Sequence, residues 1–240
     1  MFVKAIKIAK EAMFPIFKVE KISSSQSRIG VAGAGFFINA KGYFVTVAHV
    51  FDSMNKQTLF KYHGLLPDNV HNPAITIIEV AKDDDNDIFI GRLKGISSKK
   101  YFHLANILPE VGKSICIGGY PLAQISNNAK GGLELGGVRR YFQPSFVLDK
   151  IVINSDGAKR TRKHDGFLVR DIGLFGMSGG PVFDMKGKVL GVQGSVTQPR
   201  VSRGSGGREI EVENAIVIKS KTVISLLKAN KIRFNFLGIL

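Results

Sequence analysis

The chain has 240 residues, 44% of them hydrophobic, with a formal net charge of +15 and a single cysteine. That is enough apolar chain for one substantial core or two small ones, and a lone cysteine excludes an intramolecular disulfide, which suits a reducing or a bacterial compartment. The charge steers acidic partners and favours non-specific contact with polyanions, but no nucleic-acid module with its own signature accompanies it.

In chain order, the first stretch is MFVKAIKIAKEAMFPIFKV. Lys4, Lys7 and Lys10 interrupt every apolar run, so there is no secretory core, and no window reaches the length of a membrane span. Wound as a helix, Lys4, Lys7, Lys10 and Glu11 share one face, opposite Ile6, Ala9 and Met13. Two uses of such a helix are open, packing on the body of the protein or lying on an anionic membrane surface. Packing is the expectation, and integral membrane insertion is not expected. The rest of the chain carries many short runs of Val, Ile and Phe bounded by Gly, Asn and Asp; with 27 glycines and no Trp it reads as all-β with tight turns.

YFVTVAHVF (43–51) is an apolar, β-branched run ending near His49, with DSM as a turn behind it. His63 and His71 sit among loop signals. In DDDNDIFIGRL, Asp83, Asp84 and Asp85 read as a solvated turn, while Asp87 directly precedes the strand Ile88-Phe89-Ile90. Cys116 lies in the apolar strand SICIGGY and is expected to be a buried, inert thiol. Two basic patches, AKRTRKH (158–164) and PRVSRGSGGR (199–208), read as solvated loops or as a surface for an acidic partner or nucleic acid. No internal repeat or low-complexity tract is present.

FGMSGGPVF (175–183) carries the chemistry. A serine hydroxyl near neutral pH needs a base to take its proton and a carboxylate to orient that base. Gly176-Met177-Ser178-Gly179-Gly180 fits G-x-S-x-G, the turn of α/β-hydrolases, but that scaffold places its His after the Ser. All five histidines, His49, His63, His71, His103 and His164, precede Ser178. A subtilisin-like order needs an Asp before the His, and the first Asp is Asp52, after His49. The order His–Asp–Ser remains, with His49 as base and Asp87 as orienting carboxylate.

TVAHV, NDIFIGRL and GMSGGPVF resemble the three signature segments of trypsin-like serine proteases, and most of all the cysteine-poor bacterial HtrA (Deg) type. VGKSICIGGYP (111–121), GKVLGVQGSV (187–196) and ENAIVIKSKTVISLLKAN (213–230) continue the resemblance, which covers about residues 28–230. It implies two six-stranded antiparallel β-barrels packed face to face, a C-terminal helix, and a site between the barrels. On that basis the chain divides into an N-terminal segment (1–20), a first barrel with His49 and Asp87 (21–108), a second barrel with Ser178 and the helix (109–232), and an apolar tail (233–240). With few residues following the helix, no PDZ domain is expected.

The resemblance implies a serine endopeptidase acting on protein or peptide substrates through His49, Asp87 and Ser178, with the backbone amides of Gly176 and Ser178 as an oxyanion hole. It implies no cofactor and no metal. Ile172 falls at the base of the specificity pocket, with Gln193, Gly194 and Ser195 as its wall; an aliphatic residue before the scissile bond is expected, unless Asp171 points inward. Met177 stands where pancreatic enzymes carry an Asp that pairs with a newly cut N-terminus, so control by loop ordering or a regulatory partner is expected instead. A cytoplasmic location is expected. The alternative is a pseudoprotease of the same fold acting as a binding module.

Overall fold

The computed structural model describes residues 1–21, 27–52, 60–66, 74–121, 123–127, 133–136, 138–156, 161–170, 173–197, 200–201, 210–211 and 213–234. Helix α1 (Val3–Ala12) runs directly into β1 (Met13–Lys21), followed by β2 (Ser27–Phe37), β3 (Tyr43–Thr46), β4 (Phe60–Leu65), β5 (Ala74–Asp83) and β6 (Ile88–Leu93). These six strands close into an antiparallel barrel in the order β1-β2-β3-β6-β5-β4. The first barrel therefore starts at Met13 rather than at residue 21, because the whole of MFPIFKVEK pairs with β2.

The chain continues through β7 (His103–Leu104), β8 (Ser114–Gly119), the hairpin β9 (Gln124–Asn127) and β10 (Leu133–Gly136), β11 (Tyr141–Asp156), β12 (Thr161–Val169), β13 (Pro181–Phe183), β14 (Lys188–Thr197), the hairpin β15 (Arg200–Val201) and β16 (Ile210–Glu211), β17 (Asn214–Lys219) and helix α2 (Ser220–Ala229). The order β13-β8-β11-β12-β17-β14 is closed by β13–β14 pairing, giving a second six-stranded antiparallel barrel, and β7 adds to β14 in parallel. Closure leaves the barrel strands without free edges. The two barrels with terminal helices are the expected architecture.

The first core is rich in rings. Phe14 meets Phe44 edge to face at 5.1 Å, and Phe51 meets Phe89 at 4.2 Å; each such pair contributes about 0.5–1.5 kcal/mol beyond its buried area. The second is mainly aliphatic, with Ile115, Ile117, Val147, Val182, Leu190 and Val217 around Phe167. Cys116 is buried and free, as expected. His63, expected in a loop, stands in β4, where it pairs with Phe17 on one side and Thr76 on the other; two flanking ladders outweigh the turn-forming Gly64, Pro67, Asp68 and Asn69 that follow it. His71 lies outside the described residues, as do most of the two basic patches.

Helix α1 packs on the second barrel. It buries Phe2, Ala5, Ala9 and Ala12, while Lys4, Lys7, Lys10 and Glu11 face solvent. The buried face is rotated from the expected one because alanines allow the helix to lie close to the β13–β14 turn, where Ala5 approaches Gly187. Phe2 meets Phe183 of β13 edge to face at 6.3 Å. Among the described residues no helix is long and apolar enough to cross a membrane. At the other end, α2 buries Val223, Ile224 and Leu227, and its Ser220 hydroxyl donates to the Val189 carbonyl.

Candidate active site

β3 stops at Thr46, and the chain turns through a single 3-10 turn, Ala48–Phe51, that carries His49. The apolar run to residue 51 suggested a longer strand. It ends early because Asp87 takes the next two backbone donors: the Ala48 N–H bonds the Asp87 carbonyl at 3.2 Å, and the His49 N–H bonds Asp87 Oδ1 at 2.8 Å. The other carboxylate oxygen, Oδ2, lies 2.7 Å from His49 Nδ1. An ionised carboxylate only accepts, so Nδ1 holds the imidazole proton and the Nε2 lone pair is left available.

Asp87 is fully buried, and both its oxygens have partners, as a buried charge requires. Its backbone is left-handed (φ 56), a conformation Asp tolerates better than most residues. The preceding turn is held by Asp83, whose carboxylate accepts from the Asn86 N–H at 3.0 Å and from Asn86 Nδ2 at 2.8 Å. Asp83 is thus a structural brace for Asp87, a role composition did not reveal. Asp84 pairs with Lys82 at 2.8 Å on the partly exposed side of the turn.

The Ser178 loop is held mainly by backbone. Gly179 N–H bonds the Gln193 carbonyl at 2.7 Å, Gln193 N–H the Gly180 carbonyl at 2.9 Å, and Gly180 N–H the Met177 carbonyl at 2.9 Å. One bond crosses from the first barrel, Ala34 N–H to the Ser178 carbonyl at 2.8 Å. Gly179 (φ 82) lies flat against that barrel: a Cβ there would overlap the Thr46 hydroxyl, itself bonded to the Ala34 carbonyl, and the same carbonyl. A Cβ on Gly33 would sit 2.6 Å from the Ser178 carbonyl oxygen and 2.7 Å from Val50 Cγ2. Ser178 is thereby brought against the turn that carries His49.

Ser178 Oγ donates to the Gly194 carbonyl at 3.4 Å. The N–H groups of Gly176 and Ser178 have no carbonyl partner among the described residues. Met177 is buried in the second core with Ile117, Val182 and Leu190, so an apolar plug holds the loop from behind.

Gln193, Gly194 and Ser195 follow each other along β14. Gln193 is buried, and its side-chain Nε2 donates to the Ser195 carbonyl at 3.3 Å. It lies beside Gly173, where a Cβ would stand 2.9 Å from Nε2 with Val196 and Ala215 close by. Gln193 Oε1 and Ser195 Oγ are buried and have no hydrogen-bond partner among the described residues. Asp171 and Ile172 lie outside the described residues. A cavity of about 410 Å³ lies elsewhere, in the first barrel, between Lys61, Tyr62 and His63 on β4 and Thr76, Ile77 and Glu79 on β5. Phe51 and Phe89 also line it, and among the described residues neither His49 nor Asp87 does.

Residues 33–192 match the family model described as a trypsin-like peptidase domain. Among solved structures, the Rv3671c protease of M. tuberculosis in its active form is 18% identical, with a TM-score of 0.65, covering 98% of this chain and 86% of that one. Its inactive form gives a TM-score of 0.60 at 18% identity, over 94% and 92% of the two chains. The HtrA-type protease AlgW, solved with a decapeptide, gives 0.66 at 13% identity, over 96% of this chain and 67% of that one.

Proposed function

Because this chain belongs to the trypsin-like peptidase domain family and is a serine peptidase, we propose that it cleaves peptide bonds with Ser178 as nucleophile, His49 as base and Asp87 as orienting carboxylate. The observation that carries this reading is the two-point bond of Asp87 to His49, through the ring nitrogen at 2.7 Å and the backbone N–H at 2.8 Å. It leaves Nε2 as the basic nitrogen on a turn packed next to Ser178.

In the proposed reaction Ser178 Oγ attacks the scissile carbonyl carbon while its proton passes to His49 Nε2. The resulting imidazolium is stabilised by Asp87, and the tetrahedral oxyanion is received by the Gly176 and Ser178 N–H groups. His49 then gives the proton to the leaving amine, and the acyl-enzyme forms. Water, deprotonated by His49, attacks the acyl carbon, and Ser178 recovers its proton as the acid product leaves. For the residue before the scissile bond the reading is a small or medium aliphatic side chain: Val196 and Ala215 offer apolar wall, and the Gln193 amide narrows the space beside Gly173. Met177 carries no charge for an N-terminal ion pair, which supports control by loop ordering or by a partner.

The test is labelling of the purified protein with a fluorophosphonate probe beside Ser178→Ala and His49→Ala. Labelling in the wild type that disappears in both variants is the expected result. A wild type that stays unlabelled, or a Ser178→Ala variant that still labels, overturns the assignment.

A further inference from the structure

The Ser178 loop is backed by a residue that neither the order of partners nor the family match singles out. Tyr120 follows β8 and is buried, 2% exposed. Its backbone N–H donates to the Gly176 carbonyl at 3.2 Å, and its own carbonyl lies where a Cβ on Gly176 would stand, 2.6 Å away. Neighbouring Gly119 is equally close to the loop, since a Cβ there would be 2.8 Å from Met177 Cα. The Gly119-Tyr120 backbone is therefore a template for the peptide planes around Gly176.

The Tyr120 side chain points the other way. Its hydroxyl donates to the Met13 carbonyl at 2.8 Å, across 107 residues of sequence, at the junction where α1 becomes β1. Met13 also touches the segment from its own side, with its sulfur 3.0 Å from the Cβ position of Gly118. The helix above that junction is seated by Phe2 on Phe183, in the strand that leaves the Ser178 loop. One end of Tyr120 is thus tied to the first residue of β1, directly behind the N-terminal helix, and the other to Gly176.

We propose that Tyr120 is a positioning residue for the oxyanion-binding amide of Gly176, and that docking of helix α1 on the second barrel sets that position through it. The inference rests on the Ser178 assignment above. Physically, donors aimed at an oxyanion act only if held in place before the charge develops. A displacement of about 1 Å at such a site costs on the order of a hundredfold in rate. The buried hydroxyl-to-carbonyl bond to Met13 adds to the backbone bonds at the Tyr120 N–H and carbonyl and holds the segment against drift.

The experiment uses the full chain and the fluorophosphonate probe. Tyr120→Phe removes only the hydroxyl, and the second-order labelling rate is expected to fall roughly tenfold to a hundredfold. The His49 Nδ1 proton resonance, followed by NMR, is expected to match the wild type, because the His49–Asp87 hydrogen bond is untouched; a general loosening of the fold would move both. Phe2→Ala, which unseats the helix while leaving Tyr120 intact, is expected to slow labelling alone but to add little in the Tyr120→Phe background. Labelling of Tyr120→Phe within twofold of wild type overturns the inference, and so does full additivity of the two substitutions. Should Tyr120→Phe not fold, Phe2→Ala decides, and an unchanged rate in it overturns the inference. An unlabelled wild type is a separate outcome: it removes the Ser178 assignment, and this inference with it.

Discussion

The two halves of the site are held by different means. The His49 half is held by one side chain: Asp87 accepts from the ring and from the backbone of the same residue. The Ser178 half is held by carbonyls and amides of Gly179, Gly180, Gln193 and Ala34, with Met177 as an apolar plug. The first half depends on the chemistry of a single carboxylate, so exchanging a few atoms disables it. The second depends on the absence of side chains, so adding one carbon disables it. The difference follows from the tasks proposed for the two halves. A base needs its protonation state set, which takes a charge; an oxyanion site needs amides aimed, which takes backbone geometry.

The strongest break in the first half is Asp87→Asn. The amide presents hydrogens to one of two donors, the His49 N–H or Nδ1–H, and favours the wrong imidazole tautomer. Activity is expected to drop about 10⁴-fold, measured as labelling rate or peptide turnover, with a loss of about 1–3 kcal/mol in a urea melt from the mispaired buried group. The second half is broken by Gly179→Ala, which meets both Thr46 and the Ala34 carbonyl at a positive φ. A loss of roughly 3 kcal/mol or more is expected. Gly112→Ala is the control, since Gly112 has φ 80 but open space around it. It should cost only about 1–2 kcal/mol, and the difference between the two urea midpoints isolates the contact with the first barrel.

The smallest effect lies behind the His49 half, at His63. Burial first, and the Lys61 ammonium second, hold its pKa below 6.5; Glu79 shares its cavity wall and Phe17 stacks on its ring. With the folded value lowered, both states are neutral above pH 6.5, and below it the unfolded chain binds the proton more readily. Stability is therefore lost as pH falls from 6.5 toward the folded pKa. His63→Gln is expected to flatten the fall of Tm with pH in that window and to leave Tm above pH 7 almost unmoved.

Much of the proposed site was legible in the chain because order is a topological property. Every His precedes Ser178, and with His49 as base only His–Asp–Ser remains, so His49 and Asp87 could be proposed from chain order and strand boundaries. Asp87 beside Ile88 was readable since a polar residue at the mouth of an apolar run is a local signal. Asp83 was not readable as a brace, since the same residue in the same acidic cluster reads equally well as solvated surface. His63 was misplaced in a loop for a related reason: its neighbours are loop-like, and its strand exists only through β1 and β5.

The sequence by itself determined the all-β class, the order of the chemical groups, the buried thiol of Cys116 and the amphipathic character of residues 3–12, because each depends on residue type and local spacing. Tertiary structure alone decided that α1 buries its alanine face on the second barrel, that Ala34 of the first barrel holds the Ser178 carbonyl, and that Tyr120 joins Met13 to Gly176. These contacts join residues up to 182 positions apart, and two of them run through backbone groups that every residue carries. Backbone partners leave no mark on residue identity, so only the closing of two barrels against each other could choose them.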